Sequence, residues 1–419
     1  MSTRTHPLHF PDFRFFWAAR LANVCAMSMV VVVIGWQAYG LARDQGMSIN
    51  AASLRLGLIG LVQFLPLFLM SPFTGLAADM FDRRRLAQAA QLLDLVMIAG
   101  LAGATWAHAI SLPMLFAGSA VHGFVRGFVG PAMSSLAPNL VPRHMLPRAL
   151  AINSIAWQLA SIFGPMLGGF AYTVAAPLPY TVAAVLMLAA SGALHLMEPV
   201  PQDSINRRDS PFTQIRQGFH YVWHHKMLLG CISLDLFAVL LGCATAMLPA
   251  YARDILHVGA AGLGWLRAAP GVGAAVTALW LARAPIADNV GLKMLGAVGI
   301  FGATTAIFGL SHSMWLSLLM LFLLGAADMI SVFIRGALGQ LYTPDEMRGR
   351  VNSISQVFIS ASNELGETES GLLAALVGPV WAVVGGGIGA IIVALIWSRI
   401  FPQLRTARNF DPPDKETLK

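Results

Sequence analysis

The stretch Gly75-Leu76-Ala77-Ala78-Asp79-Met80-Phe81-Asp82-Arg83-Arg84-Arg85 lies between two long apolar runs, residues 54–78 and 86–108. Three consecutive arginines at the foot of two such runs mark a loop on the cytoplasmic face of a membrane, where Lys and Arg are retained. Gly75 lets two helices approach closely. Asp79 is placed to take the Arg83 charge or to cap the next helix. The arginines hold the loop at the anionic inner surface.

Reading outward in both directions gives ten further apolar runs. The twelve expected spans are 15–41, 54–78, 86–108, 110–136, 149–174, 177–197, 227–251, 261–282, 291–311, 313–336, 350–375 and 377–400. Of the 419 residues, 57% are hydrophobic and 11% charged, where soluble domains carry about 25% charged residues. The chain has material for about ten to thirteen crossings. Its unbroken Leu, Ile and Val runs lack the alternation of an outer-membrane barrel. The three cysteines, Cys25, Cys231 and Cys243, lie in apolar stretches and do not form a secreted disulfide framework. Residues 1–14 lack a cleavable-signal layout, so the first span is read as uncleaved.

With both termini cytoplasmic, the inner segments hold twenty Lys and Arg residues. The outer loops hold only Arg43, Arg55 and Arg253. The net charge of +7 is thereby explained by topology, and no nucleic-acid partner is expected. The longest connection, Glu198 to Lys226, begins as a polar linker. From Phe212 to Trp223 it places Phe212, Ile215, Phe219, Val222 and Trp223 at helical intervals, an amphipathic helix on the cytoplasmic surface. The expected division is 1–198 as a six-helix bundle, 199–226 as linker, 227–400 as a second six-helix bundle and 401–419 as a cytoplasmic tail. An offset of 202 residues pairs Gly123 with Gly325, Pro142 with Pro344, Met145 with Met347 and Arg148 with Arg350. It also pairs Gly164 with Gly366, Gly169 with Gly371 and Pro177 with Pro379. Two similar six-helix halves are an architecture of secondary transporters.

The Gly75–Arg85 loop resembles the cytoplasmic signature of the major facilitator superfamily, although Met80 and Asp82 stand where Arg and Gly are commoner. Gly164-Pro165-Met166-Leu167-Gly168-Gly169 in the fifth span resembles the exporter signature of that superfamily, with Ala151 and Ala160 at places usually held by Gly. Small residues there serve tight helix packing, and Pro165 sets a kink. Ser233 to Gly242, Asn363 to Gly371 and the opening Pro11-Asp12-Phe13-Arg14-Phe15-Phe16-Trp17 are similar to the branch holding the enterobactin exporter and its drug and macrolide efflux relatives. The resemblance covers essentially the whole chain. It implies an all-α polytopic fold of twelve helices in two pseudo-symmetric bundles, and proton-driven export of a small hydrophobic or siderophore-like compound from the bacterial cytoplasm.

Ionisable side chains within spans are costly and are functional candidates. Glu364 and Glu367 lie about 60° apart on one helix face, with Glu369 pointing away from Glu367. These three and Asp235 are the proton-coupling candidates. Arg126, Arg267, Asp328 and Asp94 are charge-pair or gate candidates. Arg126 and Asp328 share a repeat position and either pair with one another or gate separately. Arg267 is a candidate partner for one of the carboxylates, while Arg20 and Arg335 near cytoplasmic ends read as snorkelling anchors. Asn23, Trp36, Gln37, Gln63, Gln158, Gln356 and Asn363 can face a substrate cavity, although helix packing explains each equally well. His220, His224 and His225 read as surface residues, so no metal is expected. No phosphate-binding loop, HExxH motif or nucleophile elbow is present, and no cofactor or enzymatic activity is expected.

The expectation is a monomeric multi-pass protein of the cytoplasmic (inner) membrane, whose partners are a small-molecule substrate, protons and the lipid bilayer. Import or facilitated diffusion is the alternative, followed by a non-transporting receptor.

Overall fold

Without water in the bilayer core, an apolar run must satisfy its backbone internally, and here the runs become helices. The computed structural model describes residues 6–198 and 211–410. The linker residues 199–210 and the tail residues 411–419 lie outside the described residues, as do the side chains of Gly75 and Asp79. The first six long helices are α1 (Pro11–Asp44), α2 (Ile49–Met80), α3 (Arg83–Trp106), α4 (Leu112–Leu136), α5 (Leu146–Val174) and α6 (Leu178–His195). A short helix α7 (Pro211–His224) precedes α8 (Lys226–Leu241) and the single turn α9 (Leu248–Ala250). Then follow α10 (Gly259–Arg283), α11 (Val290–Gly309), α12 (Met314–Leu341), α13 (Asp345–Val377), α14 (Pro379–Ile400) and the terminal α15 (Pro402–Thr406).

Ten helical segments among the described residues are long and apolar enough to cross a membrane, with Lys226–Ile255 counted as one. The other two long helices are α10, of 25 residues, and α13, of 33 residues. Gly and Ala dilute the apolar character of α10, and Asn, Ser, Gln and four glutamates dilute that of α13. Only Phe81 and Asp82 separate α2 from α3, and the cap of α3 is Asp82, whose carboxylate accepts from the backbone N–H of Arg84 at 2.9 Å and of Arg85 at 3.3 Å. Asp79 lies within α2 and so cannot hold the capping position, which must directly precede the first helical residue. Gly378, at φ +87°, joins α13 to α14 without an intervening loop, a conformation that favours a residue lacking Cβ.

The seventh span departs from expectation. It is not one helix from 227 to 251: α8 stops at Leu241, a 3-10 turn covers Ala244–Met247, and α9 leads into a π turn at Tyr251–Ile255. Pro249 has no N–H to give to a continuing helix. The backbone freed by the break is answered locally, since the Ser370 hydroxyl donates to the Cys243 carbonyl at 3.2 Å.

The chain forms two compact units. The first comprises Met1–Gly46, Leu61–Arg208 and Val258–Ala268; the second comprises Met47–Gly60, Asp209–His257 and Ala269–Lys419. In the first, α1 packs on α5 and α6, and α3 on α4 and α6. In the second, α11 packs on α12 and α14, and α13 on α8 and α14. The two units reuse the same devices at the 202-residue offset. A Cβ on Gly123 would strike the Gln63 carbonyl, and one on Gly325 the Pro270 carbonyl. Gly164 packs on Cys25 and Ser28, whereas Gly366 packs on Val239, Leu240 and Cys243. Gly169 meets Gly264, and Gly371 meets Gly57. The Met145 N–H donates to the Pro142 carbonyl at 2.9 Å, and the Met347 N–H to the Pro344 carbonyl at 2.9 Å. In lipid, where apolar burial drives little between helices, such close backbone approach is the main source of packing energy.

Helix α7 lies against α13. Gly218 touches the Arg350 backbone, Val222 joins Ile232, Val351 and Ile354 in a small core, and the Tyr221 hydroxyl donates to the Tyr342 carbonyl at 3.2 Å. This partial burial pushes the Tyr221 phenol above its ordinary pKa. Phe219 and Trp223 stack on the opposite, exposed side with ring centroids 5.7 Å apart.

Candidate functional site

In the second unit, α12 carries Asp328 and Arg335 seven residues apart, hence within about 20° of one another on the helix. Arg335 forms an ion pair with Asp235 of α8, the two side chains being 13% and 10% exposed. This corrects the expectation that Arg335 snorkels to the surface: its guanidinium turns inward because a carboxylate awaits it, and a buried charge is tolerated only when paired. Asp235, Asp328, Ser331, Ala297 and Phe301 line a narrow cavity of about 10 Å³. One wall of this cavity is thus apolar and the other charged.

The acidic stretch of α13 faces the broken seventh span. Gly366 abuts Val239, Leu240 and Cys243, and Ser370 holds the Cys243 carbonyl. Glu364 is buried, at 6% exposure. Glu367 lies beside Gly60 in the Met47–Gly60 segment, where a Cβ on Gly60 would come within 2.9 Å of Glu367 Cβ. Glu369 is half-buried, and its Oε2 has no hydrogen-bond partner among the described residues. Interrupted helices in transporters place backbone polar groups near ion and substrate sites, and here the break at Gly242–Cys243 is met by Gly366 and Ser370 of α13. Asn363 and Gln356 occupy the same helix and are exposed, with the Asn363 amide donating to the Ile359 carbonyl at 2.9 Å.

The first unit holds the remaining candidates. Gly164 and Gly168 seat α5 on α1, the latter against Met29 and Val33, while Gly169 lies on Ala260 and Gly264. Pro165 is inside α5. Gln37 is buried in a packing network: the Tyr180 hydroxyl donates to its Oε1 at 2.9 Å, and its amide donates to the Thr105 hydroxyl at 3.4 Å. Asn23 and Gln63 are buried, Gln158 is half-buried, and Trp36 stands edge-on to Tyr172 at 6.3 Å. Arg267 falls in the Val258–Ala268 segment, and Arg126 is half-buried on α4. The loop arginines are bound into the fold. Arg83 donates to the Ser135 carbonyl at 3.4 Å, Arg84 donates to the Met197 carbonyl, and Arg85 is an exposed partner of Asp82 at 3.9 Å.

Sequence reasoning missed His122. It is fully buried on α4, and its Nδ1 lies 3.0 Å from an oxygen of Asp94 on α3, itself fully buried. A lone histidine in the middle of an apolar span, with a lone aspartate in the preceding one, was the available signal. Among the described residues, no three His, Cys, Asp or Glu side chains gather as a metal site.

A model of the family described as "Transmembrane secretion effector" matches residues 2–415. The chain belongs to this family of the major facilitator superfamily. The transporter is 27% identical to the protein named Enterobactin exporter EntS from Citrobacter koseri, over 99% of this chain and 97% of that one. It is 26% identical to the protein of the same name from Escherichia coli O1:K1 / APEC, over 98% of this chain and 95% of that one. Its fold is similar to that of a bacterial homologue of the human lysosomal transporter Spinster, with TM-score 0.71 and 14% identity over 94% of this chain and 99% of that one. It is also similar to a D-xylose-proton symporter, with TM-score 0.70 and 14% identity over 94% and 98%. The transporter is therefore an all-α, multi-pass membrane protein of major facilitator type and not an enzyme.

Proposed function

We propose that the transporter exports a small hydrophobic or siderophore-like compound across the bacterial cytoplasmic membrane in exchange for protons. The acidic face of α13 carries this reading, because buried Glu364 and Glu367, which lies beside Gly60 of α2, share one helix face and bring two carboxylates to a low-dielectric place that can hold a transported proton. The substrate class follows from the full-length relatives named as enterobactin exporters. The working unit is a monomer with both termini cytoplasmic, and residues 1–198 and 227–400 act as two bundles that alternate access to a site near mid-bilayer. An inward proton neutralises the Glu364/Glu367 group or Asp235, and its release is linked to outward movement of substrate. Arg335 holds Asp235 in place between protonation events.

The test uses inverted vesicles or proteoliposomes with an imposed pH gradient, supplied with enterobactin or a lipophilic fluorescent dye. Accumulation is expected to collapse on adding an uncoupler. The Glu364→Gln/Glu367→Gln variant is expected to lose gradient-driven accumulation while still exchanging labelled for unlabelled substrate without a gradient. Full gradient-driven accumulation by that variant would remove these two carboxylates from proton coupling. Wild-type accumulation indifferent to the gradient would leave a facilitator.

A further inference from the structure

We infer that Asp94 and His122 form a proton-binding site in the first unit, on helices that carry none of the acidic residues of α13. The pair joins α3 to α4, and both side chains are wholly shielded from solvent. His122 Nδ1 faces both carboxylate oxygens of Asp94, at 3.0 and 3.2 Å. With Nδ1–H donating to the carboxylate, the second ring nitrogen, Nε2, is left with its lone pair, and it has no hydrogen-bond partner among the described residues. One helical turn before Asp94, Gln91 is also fully buried, and neither its Oε1 nor its Nε2 has a partner among the described residues. Three buried polar atoms without partners beside one carboxylate–imidazole pair are more than a packing device requires, since buried polar groups are ordinarily satisfied. They are what a water molecule or a hydrated proton would bind.

The charge count gives the direction of the chemistry. A neutral imidazole beside an ionised Asp94 carries one net negative charge in a site with no solvent. A proton added to the Nε2 lone pair makes an N–H bond and an imidazolium, and the pair becomes electrically neutral. No other bond changes. The surroundings contain little else that titrates. On α4, Arg126 stands one turn beyond His122 and has interactions of its own. The ionisable residues of α6, which packs on α3, are Tyr180 and His195 near its two ends. Between Arg55 and Asp79, α2 has none, and its Gln63 backbone meets Gly123 beside His122. Of the ionisable residues of α1, which touches α4, Arg20, Cys25 and Tyr39 lie within the span. Asp94 and His122 are thus each other's titrating partner. The inference deepens the proton-exchange reading by placing a second proton on the first unit.

The experiment needs no substrate. Purified full-length transporter with 15N-labelled histidine is titrated in lipid nanodiscs, and proton uptake is measured on the same samples with a pH indicator. The expected result is an Nε2 resonance, absent from His122→Gln, that changes as the pH is lowered across the range sampled, with about one proton fewer taken up per molecule in the variant. Asp94→Asn, which keeps an acceptor for Nδ1–H but removes the carboxylate charge, is expected to alter that response. An Nε2 signal constant across the range, or equal proton uptake in wild type and His122→Gln, would overturn the inference. Wild-type efflux unresponsive to a pH gradient would instead overturn the antiport reading and leave this titration standing or falling by itself.

Discussion

Arg335→Ala is expected to destabilise the transporter by about 3–5 kcal/mol, because it strands the Asp235 carboxylate in a buried site without its cation. The loss should show as a large drop in the thermal midpoint of the purified protein in detergent and as low membrane yield. Asp235→Asn/Arg335→Gln removes both charges together and should recover most of that stability, because a neutral polar pair of similar shape carries no uncompensated charge. The double variant also separates two roles of Asp235. If the carboxylate only holds α8 to α12, the recovered protein transports normally. If it also carries a proton, the recovered protein folds and fails in gradient-driven transport. Equal stability of Arg335→Ala and wild type would mean that the ion pair contributes nothing to the fold.

Gly123→Ala and Gly325→Ala are expected to cost about 1–3 kcal/mol each, the usual price of overpacking. In both cases the added methyl group meets a main-chain carbonyl, of Gln63 or of Pro270, and a main chain cannot swing aside as a flexible side chain can. The controls are Gly100→Ala and Gly103→Ala on α3, where a Cβ would meet nothing within 4 Å. There the change removes only a helix-weakening glycine and is expected to be neutral or to stabilise by up to about 1 kcal/mol. Thermal midpoints of the four variants, measured side by side, check the contrast. A similar loss at all four positions would mean that glycine is needed for something other than close approach.

The fold was largely legible because its strongest signals are length, apolarity and the placement of Lys and Arg, which depend on the bilayer rather than on tertiary detail. The repeat was legible for a related reason. Gly and Pro are retained where backbones nearly touch or a helix must begin, and those positions survive substitution elsewhere. Less could be read at the site. The break at Gly242–Cys243 hides in a sequence that is apolar throughout, so hydropathy carries a single span across it. Arg335 reads as an anchor by its distance from a helix end, whereas its seven-residue spacing from Asp328 puts both on the face that meets α8. His122 is silent in the sequence because a single histidine has no pattern; only its partner on another helix gives it meaning, and pairing across helices is a tertiary fact.

The duplicated contacts have a consequence for how the sequence can drift. If substitutions were scored at every position and the resulting map of tolerance were laid over itself, the two copies would agree best when displaced by 202 residues. The agreement would come from the positions where a methyl group has no room, Gly123 with Gly325, Gly164 with Gly366 and Gly169 with Gly371. It would fade at Asp94, His122, Asp235 and Glu364, where the halves have parted company. The difference between the two halves would then be visible as chemistry laid over a shared scaffold, in a single chain and without any second protein for reference.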